Sequence, residues 1–299
     1  MGKTLGRLRR LPEIECLFPK TLSEALSLLR KHKGAAKAVA GGTDLLPKMK
    51  RRELAPKYLI DLKGIANLNF IKYEKQKGLR IGAGTTLNEI LESPLVNKYY
   101  PILIKAVSQM ASSQIRNIAT IGGNLCNGAP SADTAPPLIA LGARLKLVDL
   151  RKERGILVED FFEGPEETVI NHSELVTEIQ IPPSLPREFG TYLKHTLRGA
   201  MDLAIVGVAV LMTLDSKKNV CRDIKIAMGA VAPTPMRAKK AEEILKGEAF
   251  DEDLIENVAR MASEESRPRL TSLRASPEYK MEMVRVLTKR AIKQSLEKV

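Results

Sequence analysis

The chain has no tryptophan, and aromatic residues make up 4% of its 299 positions. A groove that stacks nucleic-acid bases needs aromatic platforms, so the formal charge of +13 does not read as a base-stacking surface. Cysteine is scarce. Cys16, Cys126 and Cys221 lie far apart, are odd in number and form no C-x-x-C pair. Neither a disulfide framework nor a cysteine-rich metal site follows, and a reducing cytoplasm is the simplest compartment. His32, His172 and His195 are scattered, without carboxylates or cysteines at ligand spacing, so no metal centre can be drawn. No apolar run is long enough to span a bilayer. The start, MGKTLGRLRRLPEIECLFPK, is basic but lacks the apolar stretch and cleavage site of a secretory signal. Gly6 stands where a myristoylation pattern needs Ser or Thr. There is no G-x-S-x-G nucleophile elbow. A chain without hydrolytic machinery of its own points to a role in which a bound cofactor does the chemistry.

What is present is an ordinary folded composition, 44% hydrophobic and 28% charged. The length allows two domains, or one domain with subdomains. The densest positive clusters, Lys48-Met49-Lys50-Arg51-Arg52 and Lys239-Lys240, read as solvated surface with some capacity for partner docking.

The element pattern begins with a helix from Thr21 to Lys31, which carries a Thr21/Glu24 capping signature and a Leu22, Ala25, Leu26, Leu29 stripe. Short strands are expected at Lys37–Ala40, Tyr58–Leu62, Leu68–Tyr73 and Leu79–Ile81, and a short helix after Thr86. From Pro101, the residues Leu103, Ala106, Val107, Met110 and Ala111 recur at helical spacing. Asp133 is placed to cap a helix through Pro136, Pro137 and Leu141. Strands follow at Leu145–Val148 and Val176–Ile181. Pro182, Pro183 and Pro186 then mark the clearest boundary. Beyond it, Thr191–Leu197 alternates, with Tyr192, Lys194 and Thr196 on one face. Ala204–Leu214 and Ile224–Val231 read as further strands, and three helices close the chain. Strands followed by helices describe an α+β domain.

Two glycine pairs stand out: Gly41-Gly42 in AVAGGTDLLPKMK, and Gly122-Gly123 in RNIATIGGNLCNGAPSADTAPPLIALGA. Glycine permits φ > 0 and close backbone approach, and successive N–H groups in such turns can cradle an anion. Each pair alone also fits a tight turn after a strand. GTDLLPK fails as a P-loop, because Pro47 replaces the second glycine and Met49 the Ser/Thr. IGAGTTL has Leu87 where a Rossmann fingerprint needs its third glycine. Cys126 reads as a small loop residue.

The two glycine segments, in this order and with IGAGTTLNEI between them, resemble the FAD-binding loops of the flavoprotein (medium) subunit of molybdenum hydroxylases. That family includes aerobic carbon monoxide dehydrogenase and xanthine-dehydrogenase-like enzymes. The resemblance runs along nearly the whole chain. It implies an α+β fold: a two-subdomain FAD-binding domain of the vanillyl-alcohol oxidase/p-cresol methylhydroxylase type at 1–183, split near 62, then a smaller α+β domain at 187–299. It implies that Ala40, Gly41, Gly42, Thr43, Asp44 and Leu45 wrap the FAD diphosphate through backbone N–H groups. Thr120, Ile121, Gly122, Gly123 and Asn124 would do so from the other side. Asp133 would accept from a ribose hydroxyl, and Met110 falls where relatives place an aromatic against adenine. Val176 matches a region touching the flavin ring, and Lys194, in Tyr-x-Lys-x-x-x-Arg, would lie near that ring. Read without the resemblance, Asp133 is a helix N-cap, Met110 core, and Lys194 a solvent-facing lysine. The segments also resemble the β subunit of 4-hydroxybenzoyl-CoA reductase, but only eight residues separate Asn124 from Asp133. That leaves no room for its cysteine-bearing insertion, so no iron–sulfur cluster is expected in this chain.

The function expected is that of an FAD-binding electron-transfer subunit. Molybdopterin and 2Fe–2S clusters would sit on large and small partner subunits, as a dimer of heterotrimers in the cytoplasm, with an external electron acceptor. A self-contained FAD oxidoreductase of the same fold is the first rival, and a basic nucleic-acid-binding protein the second.

Overall fold

The computed structural model describes residues 11, 13–215, 220–272 and 274–298. Most of the basic amino-terminal start therefore lies outside the described residues. The first layer is a three-stranded parallel sheet, Glu15–Leu17, Tyr58–Asp61 and Ala36–Val39, with Tyr58–Asp61 central. The Leu22–His32 helix covers it, burying Ala25, Leu26 and Leu29. Thr21 caps that helix through the Glu24 N–H, while the Glu24 carboxylate accepts from the Lys20 N–H at 2.8 Å.

The second layer is an antiparallel sheet in the order Ile71–Glu74, Gly78–Gly82, Leu175–Ile181, Arg144–Val148, Glu153–Leu157. Three short helices, Leu87–Glu92, Pro94–Tyr99 and Pro101–Ser108, pack on one face. Thr86 and Glu89 form the full reciprocal capping box at the first of them. Tyr100, fully buried, donates its hydroxyl to the Pro182 carbonyl at 2.7 Å, tying this helical layer to the proline-rich crossing.

The third layer is an antiparallel sheet of Glu188–His195, Val206–Leu214, Cys221–Gly229 and Met236–Arg237. Every residue of Val206–Leu214 is buried, because both faces of this sheet are covered. Ala209 and Leu211 join the core of the second layer, whereas Val206, Val208, Val210 and Met212 pack on the carboxy-terminal helices Lys239–Leu245, Glu252–Glu265 and Pro277–Leu296. That explains the unbroken apolar run in the sequence, where a one-faced sheet would show alternation. Arg237 and Lys239 reach back to Glu159 at 3.7 and 2.6 Å. Among the described residues no helix is long and apolar enough to cross a membrane.

Several expectations change. The apolar stripe that begins at Leu103 outlasts its helix, which stops at Ser108; Met110 and Ala111 (φ +44°) belong to the turn that follows. The strand expected at 68–73 begins later, at Ile71–Glu74, after a 3-10 turn at Ala66–Leu68. Asp133 caps nothing: Thr134 is the N-cap residue of Ala135–Ala140, with no side-chain cap bond. Strand Glu153–Leu157 and helix Ile121–Cys126 have no counterpart in the sequence reading, the first for want of apolar alternation and the second because it opens on the glycine pair.

Arg154, on the edge strand, clasps Glu174 with two hydrogen bonds of 2.8 Å just before Leu175–Ile181 begins. The Glu174 side chain is 2% exposed, and it also accepts from the Asn171 backbone and side-chain N–H groups. The Arg154 guanidinium holds the Glu174 carboxyl down at about 2, against a smaller opposing effect of burial. A depressed carboxyl stabilises the fold above its unfolded value near 4.5 and loses that contribution as pH falls towards about 2. Glu174→Gln should cost about 1–3 kcal/mol at neutral pH. It should also flatten the acid limb of the melting-temperature profile across that window; equal acid sensitivity in both proteins would show the clasp does not act this way.

Candidate FAD-binding cleft

A cleft of about 1120 Å³ runs between the first and second layers and reaches the start of the third. Such a volume lies at the upper end of small-molecule sites and suits an elongated ligand. One wall is the Ala40–Leu45 segment, which follows the strand Ala36–Val39 and leads into the short helix Leu45–Lys50. Gly42 adopts φ +72°, the left-handed conformation glycine tolerates. Gly41 is fixed by a different requirement. A Cβ there would stand 2.2 Å from the Ile118 carbonyl oxygen and 2.9 Å from the Ala119 Cα. The backbones of the two segments thus touch with no side chain between them. Among the described residues, the N–H groups of Gly41, Gly42, Thr43, Asp44 and Leu45 donate no hydrogen bond. Five free donors in sequence on a cleft wall are the chemistry an anion such as a diphosphate requires.

The second glycine segment works differently from expectation. Gly122 and Gly123 lie in the first turn of Ile121–Cys126, neither at positive φ. Their neighbours' N–H groups are already committed: Ile121 to the Thr85 carbonyl at 3.1 Å, Gly122 to Ala83 at 3.0 Å, Asn124 to Thr120 at 2.9 Å. The Gly123 N–H goes to the Thr120 hydroxyl oxygen at 3.0 Å. The backbone N–H groups on this side are therefore not free to donate to a ligand, contrary to the expectation. Thr120 keeps its hydroxyl hydrogen. Asn124 accepts from the Thr134 hydroxyl at 2.6 Å, which leaves its amide N–H₂ free among the described residues. Gly122 is required because a Cβ would fall 2.6 Å from the Ala83 carbonyl oxygen. IGAGTT, a failed Rossmann match, is thus the shelf on which this helix start rests.

Thr120, Gly122, Gly123, Asn124, Met110, Asp133 and Val176 all line the cleft with Ala40–Leu45. Ile121 does not; it is fully buried in the core. Lys194 stands behind the wall. Its side chain is 3% exposed, so the solvent-facing reading is excluded, and its ammonium donates to Asp133 Oδ2 at 2.8 Å and to the Gln109 carbonyl at 3.2 Å. Tyr192, two residues earlier on the same strand face, donates its hydroxyl to Asp133 Oδ1 at 2.7 Å. Burial raises the Asp133 carboxyl above its ordinary value, opposed by the Lys194 charge and by hydrogen bonds from Lys194 and Tyr192. Burial also raises the Tyr192 phenol, and the Asp133 charge adds to it. Tyr192 was visible in the sequence only as the first residue of the Tyr-x-Lys pattern; the period-two alternation of its strand was the signal that it shares a face with Lys194.

Lys48 bridges the cleft floor, donating to Asn127 Oδ1 at 2.9 Å and pairing with Glu166 at 3.0 Å. Cys126 also lines the cleft, and desolvation pushes its thiol up to about 12. A thiol so far from ionisation is a packing group. Of the histidines, His32 lies against Tyr58 with ring centroids 3.8 Å apart, and His195 shares a 3.0 Å hydrogen bond with the Tyr279 hydroxyl. Among the described residues no three His, Cys, Asp or Glu side chains gather at metal-binding distance.

Gly41→Ala should lower stability by about 2–4 kcal/mol, because its Cβ meets backbone that cannot rotate away. Gly34→Ala, with open space around the same atom, should change little. Thermal melts of both variants check this, and a benign Gly41→Ala would mean the two segments are not in contact.

The amino-terminal region, residues 12–184, matches the family model of the FAD-binding domain in molybdopterin dehydrogenases. Residues 191–295 match that of the carbon monoxide dehydrogenase flavoprotein carboxy-terminal domain. The xanthine dehydrogenase FAD-binding subunit of Escherichia coli O157:H7 is 32% identical, over 92% of this chain and 94% of its own length. The glyceraldehyde dehydrogenase medium chain of Sulfolobus acidocaldarius is 34% identical, over 95% and 98%. Among solved structures, carbon monoxide dehydrogenase from Hydrogenophaga pseudoflava superposes with a TM-score of 0.92 at 34% identity, covering 96% of this chain and 99% of that one. The paired glycine segments, the cleft between them and these matches together show that the chain belongs to the FAD-binding medium-subunit family of the carbon monoxide and xanthine dehydrogenase group.

Proposed function

We propose that the chain is the electron-transfer subunit of a multi-subunit molybdopterin-dependent dehydrogenase or hydroxylase, and that its FAD lies in the cleft described above. The observation that carries this is the run of five free backbone N–H groups from Gly41 to Leu45, facing side-chain donors of Thr120 and Asn124. Neutral donors suit a dianion without the bulk of lysine or arginine. FAD held there would supply the redox chemistry, linking a molybdopterin site and 2Fe–2S clusters on large and small partner subunits to an external acceptor. The residues of this chain bind, orient and exclude water. Gly41 and Gly122 let backbone segments pack directly on one another beside the cleft. Met110 and Val176 supply apolar wall, and Asp133 an acceptor for a ligand hydroxyl. None is an acid or base for the substrate. A cytoplasmic dimer of heterotrimers, and the two-domain division at 183–187 with a split near 62, belong to the same reading. The division is supported by where the two matched family models end and begin, at 184 and 191.

A self-contained flavin oxidoreductase would use the same cleft. Native purification from the source separates the two: FAD with a molybdenum-bearing chain and an iron–sulfur chain supports the proposal, FAD on a lone chain supports the alternative, and no flavin sinks both. Gly42→Val, at φ +72°, and Gly123→Val, where a Cβ lies 2.9 Å from the Thr120 hydroxyl oxygen, should each abolish stoichiometric FAD. Full flavin content in both variants would overturn the assignment of these segments.

A further inference from the structure

The turn that follows the helix Pro101–Ser108 has three successive carbonyls held by cations. Lys194 donates to the Gln109 carbonyl at 3.2 Å. Arg116 Nη1 donates to the Met110 carbonyl at 2.7 Å and reaches that of Ala111 at 3.5 Å. The same guanidinium donates from Nη2 to Ser113 Oγ at 3.2 Å and from Nε to Asn88 Oδ1 at 3.3 Å. A rigid, planar fork used in three directions fixes the loop it spans. Met110, Ala111, Ile115, Asn117 and Ile118 line the cleft, whereas Arg116 stands behind them. It is half-buried, and among the described residues no carboxylate pairs with it. These contacts set a direction. In a trans peptide the C=O and the N–H point opposite ways. The Met110 carbonyl faces Arg116, so the Ala111 N–H faces away from it. Among the described residues that N–H has no acceptor. Ala111 is exposed on the cleft at φ +44°, a left-handed backbone that an alanine adopts only where its surroundings impose it.

We infer that the Ala111 N–H is a further ligand-binding donor of the cleft, separate from the Gly41–Leu45 run, and that Arg116 is the positioning residue that aims it. A cation at the carbonyl end of a peptide polarises it and strengthens the N–H at the other end. The neighbouring Met110 is apolar and buried. One donor beside an apolar side chain suits an uncharged acceptor on a flat heterocycle, a carbonyl oxygen or a ring nitrogen, rather than a phosphate. FAD carries such a ring at each end, so this donor serves one end only. The inference rests on the flavin reading of the cleft, and it adds a contact at a ring to those at the diphosphate.

The test titrates the flavin-free full chain with FAD, FMN and ADP. FMN lacks the adenosine and ADP lacks the flavin, so each reports one end. Arg116→Met should weaken FAD by about tenfold, the worth of one well-aimed hydrogen bond. It should weaken one of FMN and ADP by a similar factor and spare the other. Arg116→Lys keeps the charge but loses the fork, and should recover little. Replacing Ala111 by lactic acid through nonsense suppression exchanges its N–H for an ester oxygen. That variant removes the donor itself and should weaken FAD and the same fragment. Unchanged melting temperatures verify folding; if Arg116→Met does not fold, the ester variant decides alone. Equal loss of FMN and ADP would make Arg116 a general support, and full recovery with lysine would make its charge sufficient; either overturns the aiming role. FAD binding at parental strength in the ester variant would overturn the donor while leaving the flavin reading intact. A parent chain that binds none of the three would overturn the flavin reading, and this inference with it.

Discussion

The structure depends on one contact between backbones. Gly41 lies against Ile118 and Ala119 so closely that even a methyl group cannot stand between them. That contact joins the parallel sheet of the first layer to the helical layer of the second. Leu175 and Val148 of the second sheet also pack against the first-layer core, so hydrophobic packing joins the layers beside this backbone contact. Keeping side chains out of the junction leaves a stretch of backbone polar groups exposed in a cleft whose lining is otherwise largely apolar. Among the described residues, none accepts from the N–H groups of Gly41 to Leu45. A run of free donors is costly in a finished core, and it is tolerable where water or an anionic ligand takes their bonds.

The opposite side of the cleft is built to be rigid. Every N–H from Ile121 to Asn124 is bonded within the protein, and Ala83 and Thr85 supply two of the acceptors. Those two residues belong to the turn after Gly78–Gly82, whose central partner is the strand carrying Val176. The Arg154–Glu174 clasp fixes where that strand begins. One wall thus offers unpaired donors, and the other is a braced frame that holds Thr120 and Asn124 at fixed positions.

Much of this was legible in the sequence, and the failures have physical causes. The layers follow from hydrophobic period, including the all-apolar Val206–Leu214 strand and the Tyr192/Lys194 face. The importance of the two glycine pairs was also legible. Their mechanism was not, because glycine signals either unusual φ or close approach, and only coordinates separate the two. Gly42 is the first kind; Gly41 and Gly122 are the second. Asp133 looked like a helix cap because it precedes Thr-Ala-Pro-Pro, and local sequence cannot reveal that Tyr192 and Lys194, 59 and 61 residues away, each hold one of its carboxylate oxygens. Met110 fitted a helical stripe because the helix stops at Ser108 with no breaker residue to announce it, and Met110 and Ala111 form the turn that follows.

The Asp133–Lys194 pair alters how charge acts in the cleft. The resemblance assigns Asp133 to a ribose hydroxyl and Lys194 to the flavin ring, yet the two are in contact at 2.8 Å. Lys194 also holds the carbonyl of Gln109, the neighbour of Met110, which the same resemblance places against adenine. The structure thus brings together three residues to which the resemblance gives separate roles. A lone buried ammonium would stabilise negative charge strongly, because little solvent screens it. Here Asp133 already neutralises it, and the Tyr192 hydroxyl takes the second carboxylate oxygen. What remains is an oriented dipole with no net charge, whose influence falls off faster with distance than that of an ion. The Asp133–Lys194 pair therefore adds little net charge to the cleft, whose other charged lining includes Lys37, Lys48, Lys63, Asp44 and Glu166.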